Sequence, residues 1–272
     1  MTRPNTYLME NQEEAVRLDI KTDPEAVQRQ AIWCGVKPGL RVLDAGCGSG
    51  KTTSILHEMV QPGGEVLGVD YSEERIHYAK EHHGKRPGID FQLRDIREPL
   101  DDLGQFDIIW VRFVLEYYCI GSFEIVKNLM ASLKPDGYLC LLDLDYNCLS
   151  HYELPAKMGS ILIKLMDNMQ QKYNFDPYAG RKLYSYLYDL GYRNIQVHLM
   201  AHHLIYGEIR PEDNFNWTKK VEVTSIRAKN LFEKYPGGCD AFFADFKKFF
   251  HDPRRFTYTP LIMVKGMKPV SD

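Results

Sequence analysis

The stretch Arg41-Val-Leu-Asp-Ala-Gly-Cys-Gly-Ser-Gly50 constrains the fold more than any other part of the chain. Val42 and Leu43 read as a short buried strand closed by Asp44, and Thr52 to Met59 has the spacing of a helix. Gly46, Gly48 and Gly50 therefore fall in a strand-to-helix turn. Glycines there let the backbone take φ > 0 and approach a ligand closely, while N–H groups at the helix start attract a negative group.

Three ligand classes use such a turn. The dinucleotide pattern G-x-G-x-x-G has its third glycine one residue beyond Gly50, which disfavours a nicotinamide cofactor. Ala45 to Thr52 reads A-x-x-x-x-G-K-T, one residue away from a phosphate-binding loop. Lys51 and Thr52 stand in its phosphate and Mg²⁺ positions, and Asp143 ends an apolar run that could supply a metal-binding acid. An ATP- or GTP-binding protein is thus one alternative. The third class is a nucleoside held by acids. Glu65 to Asp70 forms a second apolar strand ending in a carboxylate, placed to accept from ribose hydroxyls, and Tyr71 after it can cover an adenine face.

Val42-Leu-Asp-Ala-Gly-Cys-Gly-Ser-Gly50 followed by Val69-Asp-Tyr-Ser72 resembles the first two motifs of the class I S-adenosylmethionine-dependent methyltransferases, of small-molecule type. The resemblance implies S-adenosyl-L-methionine as cofactor and methyl transfer to a small-molecule acceptor by in-line displacement. It further implies that Asp95, at the end of a third strand over Asp90 to Arg94, meets the adenine amino group while the Ile96 N–H contacts the ring. Leu133-Lys-Pro-Asp-Gly137, a sharp turn into a fifth strand over Tyr138 to Asp143, is a family marker with no role in a nucleotide hydrolase. Phe113-Val-Leu-Glu-Tyr-Tyr118 follows the fourth strand, Phe106 to Arg112, and resembles a family segment that usually carries Glu-His where this chain has Glu116-Tyr117. Without that imidazole, Tyr117 or Tyr118 would orient the acceptor. Tyr7, Glu14 and Arg17 resemble an N-terminal lid, whose Arg17 could pair with the cofactor's methionine carboxylate.

The expected cofactor set is Tyr7, Arg17, Asp44, Gly46, Cys47, Gly48, Gly50, Asp70, Tyr71, Asp95, Ile96 and Arg112, with no metal. The acceptor side offers Tyr117, Tyr118, Asp143, His151 and Tyr152 as candidates. Displacement at a sulfonium needs alignment and a dry site more than a nucleophilic side chain, so the lack of a Ser-His-Asp or Cys-His set fits this chemistry. A protein that keeps the nucleoside pocket without catalysis is a further alternative.

Alternation of strands and helices from Arg41 onward predicts an α/β fold with a parallel, doubly wound sheet; the resemblance implies that the sheet is seven-stranded and mostly parallel with an antiparallel last strand. Residues 1–36 form an N-terminal helical lid, 37–205 the cofactor-binding core, 206–255 a helical insert, and 256–272 the last strand and tail. The insert carries Phe242, Phe243, Phe246, Phe249 and Phe250, read as core, an acceptor wall or a homodimer contact. The 34 basic and 37 acidic residues leave a net charge of −3 with no basic block, against nucleic acid as partner. No apolar run reaches the roughly 18 residues of a membrane span and Met1-Thr-Arg-Pro-Asn lacks a signal core, so a cytoplasmic protein is expected. Six cysteines without a C-x-x-C pair read as reduced thiols. His202 and His203 have no acid or cysteine at metal spacing and read as structural.

Overall fold

A computed structural model describes residues 14–147 and 149–269 of the chain. Helices α1 (Glu14–Lys21) and α2 (Pro24–Cys34) come first, and Asp23 caps α2 by accepting from the N–H groups of Glu25 and Ala26. The order then runs β1 (Arg41–Ala45), α3 (Lys51–Val60), β2 (Glu65–Asp70), α4 (Glu73–His83), β3 (Ile89–Leu93), β4 (Phe106–Arg112) and α5 (Ser122–Leu129). It continues with β5 (Leu133–Leu144), α6 (Ala156–Tyr173), α7 (Leu183–Asp189), β6 (Arg193–Ile205), α8 (Pro211–Arg227), α9 (Gly238–Phe250) and β7 (Thr257–Met267). The strands form one sheet in the order β3-β2-β1-β4-β5-β7-β6, in which only β7 is antiparallel to its neighbours, as expected from sequence.

The two-residue period of the central strands feeds two cores. From β4, Ile108 and Trp110 pack with Ala31, Cys34, Leu56 and Val60 of α2 and α3. Ile109 and Val111 point the other way, onto Ile125, Val126 and Leu129 of α5 and Leu183 and Leu187 of α7. A third core lies among the helices. Met158, Ile161, Leu162, Leu165, Met166 and Met169 of α6 bury themselves against Trp217 of α8 and Phe242, Phe246 and Phe250 of α9. One face of the aromatic stripe is therefore interior, and Phe243 and Phe249 pack at its margin.

Two boundaries differ from the sequence reading. Leu133-Lys-Pro-Asp-Gly137 is not a turn ahead of the fifth strand but its start: Leu133 pairs with Phe106, and the register shifts before Ile108 meets Tyr138. Asp136, with φ of 60°, sits in that irregularity. The helix expected over 212–234 ends at Arg227, where Ala228 leaves helical geometry (φ −131°, ψ 37°) and a 3₁₀ turn, Lys229–Phe232, follows. Among the described residues no helix is long and apolar enough to cross a membrane.

Candidate active site

Strand order reverses between β1 and β4, and a cleft opens at the carboxyl ends of these strands, where open α/β sheets bind ligands. Its floor is the glycine turn. Gly46, Gly48 and Gly50 have φ of 82°, 56° and 84°, a region costly for any residue with a Cβ. Gly46 and Cys47 donate their N–H groups to the Val69 carbonyl at 2.8 and 2.9 Å, which ties the turn to the end of β2.

Asp70 is the hub of the floor. It is buried, and its Oδ2 accepts from the Gly48 N–H at 3.0 Å. Oδ1 accepts from the Ser72 N–H at 3.0 Å and from Arg75 Nε and Nη2 at 3.1 and 2.9 Å. Arg75 was not among the residues expected at the site; its only sequence signal is its place three residues into a helix capped by Ser72. Its guanidinium also lies 5.0 Å from the centre of the Tyr71 ring, and both side chains line the cleft.

Of the expected cofactor residues, the structure brings Gly46, Cys47, Gly48, Asp70, Tyr71, Ile96 and Arg112 to the cleft lining. Asp44 and Gly50 stand behind it. Asp44 accepts from Thr53 Oγ1 at 2.6 Å, and burial pushes its carboxyl up to about 7 against the pull of that hydrogen bond and of Arg112. Gly50 packs on Phe91 so closely that a Cβ would sit 2.9 Å from the ring. Asp95 turns to its neighbour: Arg97 donates its N–H and Nε to Oδ1 at 3.0 and 2.8 Å, and Nη2 contacts Oδ2. These bonds hold the Asp95 carboxyl below its usual range. Arg17 is bonded to buried Glu14 at 2.6 and 2.7 Å, so α1 meets the cleft through Leu18 and Lys21 instead, with Thr22 beside them. Tyr7 lies outside the described residues.

Arg112 ends β4 and reaches into the cleft. Its Nε donates to Gln30 Oε1 of α2 at 2.8 Å, and its guanidinium lies 4.0 Å from the Phe113 ring centre. Burial lowers its pKa to about 10, opposed by Asp44, Asp23 and Asp143, so it stays a cation at neutral pH. Tyr117 and Tyr118 line the cleft above it. Tyr117 packs on Phe175 with ring centres 5.7 Å apart, and burial raises the Tyr118 phenol.

Asp143 is fully buried at the end of β5 and away from the lining. It accepts from the N–H groups of Glu116 at 3.1 Å and Leu144 at 2.8 Å, and burial followed by the nearby Glu116 carboxyl raises its pKa. His151 binds Thr257 Oγ1 at 2.8 Å amid Trp217 and the α9 phenylalanines, while Tyr152 is exposed. Lys51, on which a phosphate loop depends, is not in the cleft lining: its Nζ lies 3.9 Å from Asp19 Oδ2. It is α1, through Asp19, that engages it.

A sheet of this order, with a glycine turn and a buried acid at adjacent strand ends, defines the Rossmann-like methyltransferase class of fold. The chain belongs to the methyltransferase-domain family, whose sequence profile matches residues 36–198. It is 37% identical over 111 residues to ubiquinone biosynthesis O-methyltransferase of Bradyrhizobium diazoefficiens, an alignment covering 40% of this chain and 42% of that protein. Juvenile hormone acid O-methyltransferase of Drosophila melanogaster is 34% identical over 112 residues, covering 37% and 35%. The chain spans less than half the length of these curated relatives. An S-adenosylmethionine-dependent methyltransferase from Aquifex aeolicus shares the fold with a TM-score of 0.52 at 16% identity, over 96% of this chain and 100% of that one.

Proposed function

We propose that the protein transfers a methyl group from S-adenosyl-L-methionine to a small-molecule acceptor. The observation that carries this reading is the junction of Asp70 with the glycine turn: a buried carboxylate joined to the Gly48 N–H, in a cleft walled by Tyr71 and Ile96 and containing a fixed cation. The residues fit the cofactor. Asp70 would receive the ribose hydroxyls, with Arg75 holding the carboxylate in place. Tyr71, Ile96 and Tyr118 would enclose the adenine, and Arg112 would meet the methionine carboxylate. When bound, the cofactor supplies an activated methyl group on a sulfonium sulfur. The chain's part is then to align the acceptor and exclude water, through α1 above the turn and Tyr117 beside it.

The relatives named above act on small molecules, which supports an acceptor of that kind. Cys34, Cys47, Cys119 and Cys140 are unbridged thiols, as a reducing compartment leaves them, which supports a cytoplasmic location. Calorimetry with S-adenosylmethionine, S-adenosylhomocysteine and ATP-Mg²⁺ on wild type and Asp70→Ala tests the reading. Binding of both adenosyl ligands, lost by at least tenfold in Asp70→Ala, is expected. ATP bound in preference to either adenosyl ligand overturns it.

A further inference from the structure

We propose that Lys21 is the base of the reaction: from the cleft wall its side chain takes the proton of a phenolic hydroxyl as that oxygen receives the methyl group. This rests on the methyl-transfer reading and specifies its substrate class.

Methylation of a neutral hydroxyl sets one proton free, and a group in the cleft has to accept it. The lining offers few such groups. Asp70 already accepts from the Gly48 and Ser72 N–H groups and from Arg75. Arg75, Arg94 and Arg112 carry guanidinium groups, which donate and do not accept. The Cys47 thiol is pushed well up by burial and then by the carboxylates of Asp70 and Asp44, and burial raises the Tyr118 phenol too. Both keep their protons at neutral pH. The other lining side chains that carry oxygen have neutral hydroxyls, which are too weak as bases. Glu116 and Asp143 stand outside the lining, and among the described residues no histidine belongs to it. Lys21 remains.

Lys21 ends α1 and lines the cleft, partly buried, with no hydrogen bond or ion pair to any described residue. It faces Arg17 and Glu14 of its own helix, Glu116 from the segment after β4, and Lys220 of α8, while His202 and His203 of β6 feel its charge in turn. These neighbours set it toward the β4 and β6 side of the cleft, across from the β2 end where Asp70 would receive the ribose. Burial, then Arg17 and Lys220, push the ammonium down to about 7, against the pull of Glu116 and Glu14. Both histidines are held well below their usual range by burial, and so are uncharged. A large share of Lys21 is therefore free amine at neutral pH, ready to act as a base.

In the transfer, the acceptor oxygen bonds to the methyl carbon and its proton passes to Lys21 Nζ, while the electron pair of the carbon–sulfur bond goes to sulfur. An ammonium charge replaces the sulfonium charge, and the proton leaves to water between turnovers. The strength of this base selects the acceptor. A carboxylic acid has lost its proton before it arrives, an aliphatic alcohol holds its proton too tightly for such an amine, and a phenol lies between. A protonated amine would bring a further cation against Arg112, which stays charged. Phe113, Val114 and Tyr117 supply apolar wall for an aromatic ring.

The test uses the full chain with 4-cresol as acceptor probe. With S-adenosylhomocysteine bound, NMR titration of isotope-labelled lysines should find one ammonium that titrates at about 7 and is missing in Lys21→Gln. Calorimetry on this complex should show 4-cresol binding at least tenfold more tightly than benzoate or phenethylamine. With S-adenosylmethionine, methylation of 4-cresol should rise with pH through the same midpoint, as the ammonium loses its proton. Lys21→Gln and Lys21→Arg should each lower kcat by about a hundredfold or more while binding S-adenosylhomocysteine as wild type does, because Arg keeps the charge and removes the base. Activity retained in Lys21→Arg, benzoate or the amine preferred to 4-cresol, or no methylation of 4-cresol overturns the assignment. So does a tenfold loss of S-adenosylhomocysteine affinity in Lys21→Gln, since Lys21 would then serve the cofactor's carboxylate. Failure of the wild type to bind S-adenosylhomocysteine at all would instead sink the methyl-transfer reading.

Discussion

Asp70 shows why one side chain can be both a binding group and a structural one. Its pair with Arg75 is buried on both sides, so removing the carboxylate strands a guanidinium away from water. Asp70→Ala is expected to cost on the order of 3 kcal/mol in urea unfolding. Asp70→Ala/Arg75→Met should recover most of that while leaving S-adenosylhomocysteine unbound, separating the two roles. Asp44 offers a pH test. Its folded pKa is raised to about 7, above the unfolded value of 3.8, so the folded state binds the extra proton between them and stability falls as pH rises through that window. Asp44→Asn escapes this. Relative to wild type it should gain on the order of 4 kcal/mol between pH 4 and pH 8, read from thermal unfolding at each pH.

At the scale of elements, the link from β1 to α3 is a turn that tolerates no Cβ. Gly50 combines φ of 84° with the Phe91 ring and Ala79 behind it, the latter 2.8 Å from where a Cβ would go. Gly50→Ala should therefore destabilise by roughly 2 kcal/mol or more and weaken S-adenosylhomocysteine binding together, since strain there tilts the first turn of α3. Helix α1 has a different standing. Its Asp19 holds Lys51 and, at 2.8 Å, His83, so α1 is pinned to α3 and α4 by polar contacts.

Taken whole, the molecule has a sheet with helices on both faces and a separate helical core built by α6, α8 and α9. Phe246 lies at the centre of that third core, with Phe250 stacked on it at 5.4 Å. Phe246→Ala is expected to cost about 3–5 kcal/mol. Hydrogen exchange should show α8 and α9 losing protection before β1, β4 and β5, because few of the lost contacts belong to the sheet. Uniform loss across the chain would mean that the helical core and the sheet unfold as one unit.

The sheet and its glycine turn were legible in sequence because their causes are local. Apolar runs of strand length ended in Asp44, Asp70 and Asp143, and the glycines sat where φ had to be positive. The bulged start of β5 was not legible, since Leu133-Lys-Pro-Asp-Gly137 makes a turn and a strand edge at once and only pairing with β4 decides between them. Nor were the partners of the charged groups. Asp70 with Arg75, Asp95 with Arg97, Arg17 with Glu14, and the gathering of Lys21, Lys220 and Glu116 depend on where separate helices dock. Local sequence thus determined which elements form and which strand ends carry acids. Tertiary packing alone decided which of those acids face the cleft and which charges meet across it, because a charge interacts through space and burial while a periodicity reads only along the chain.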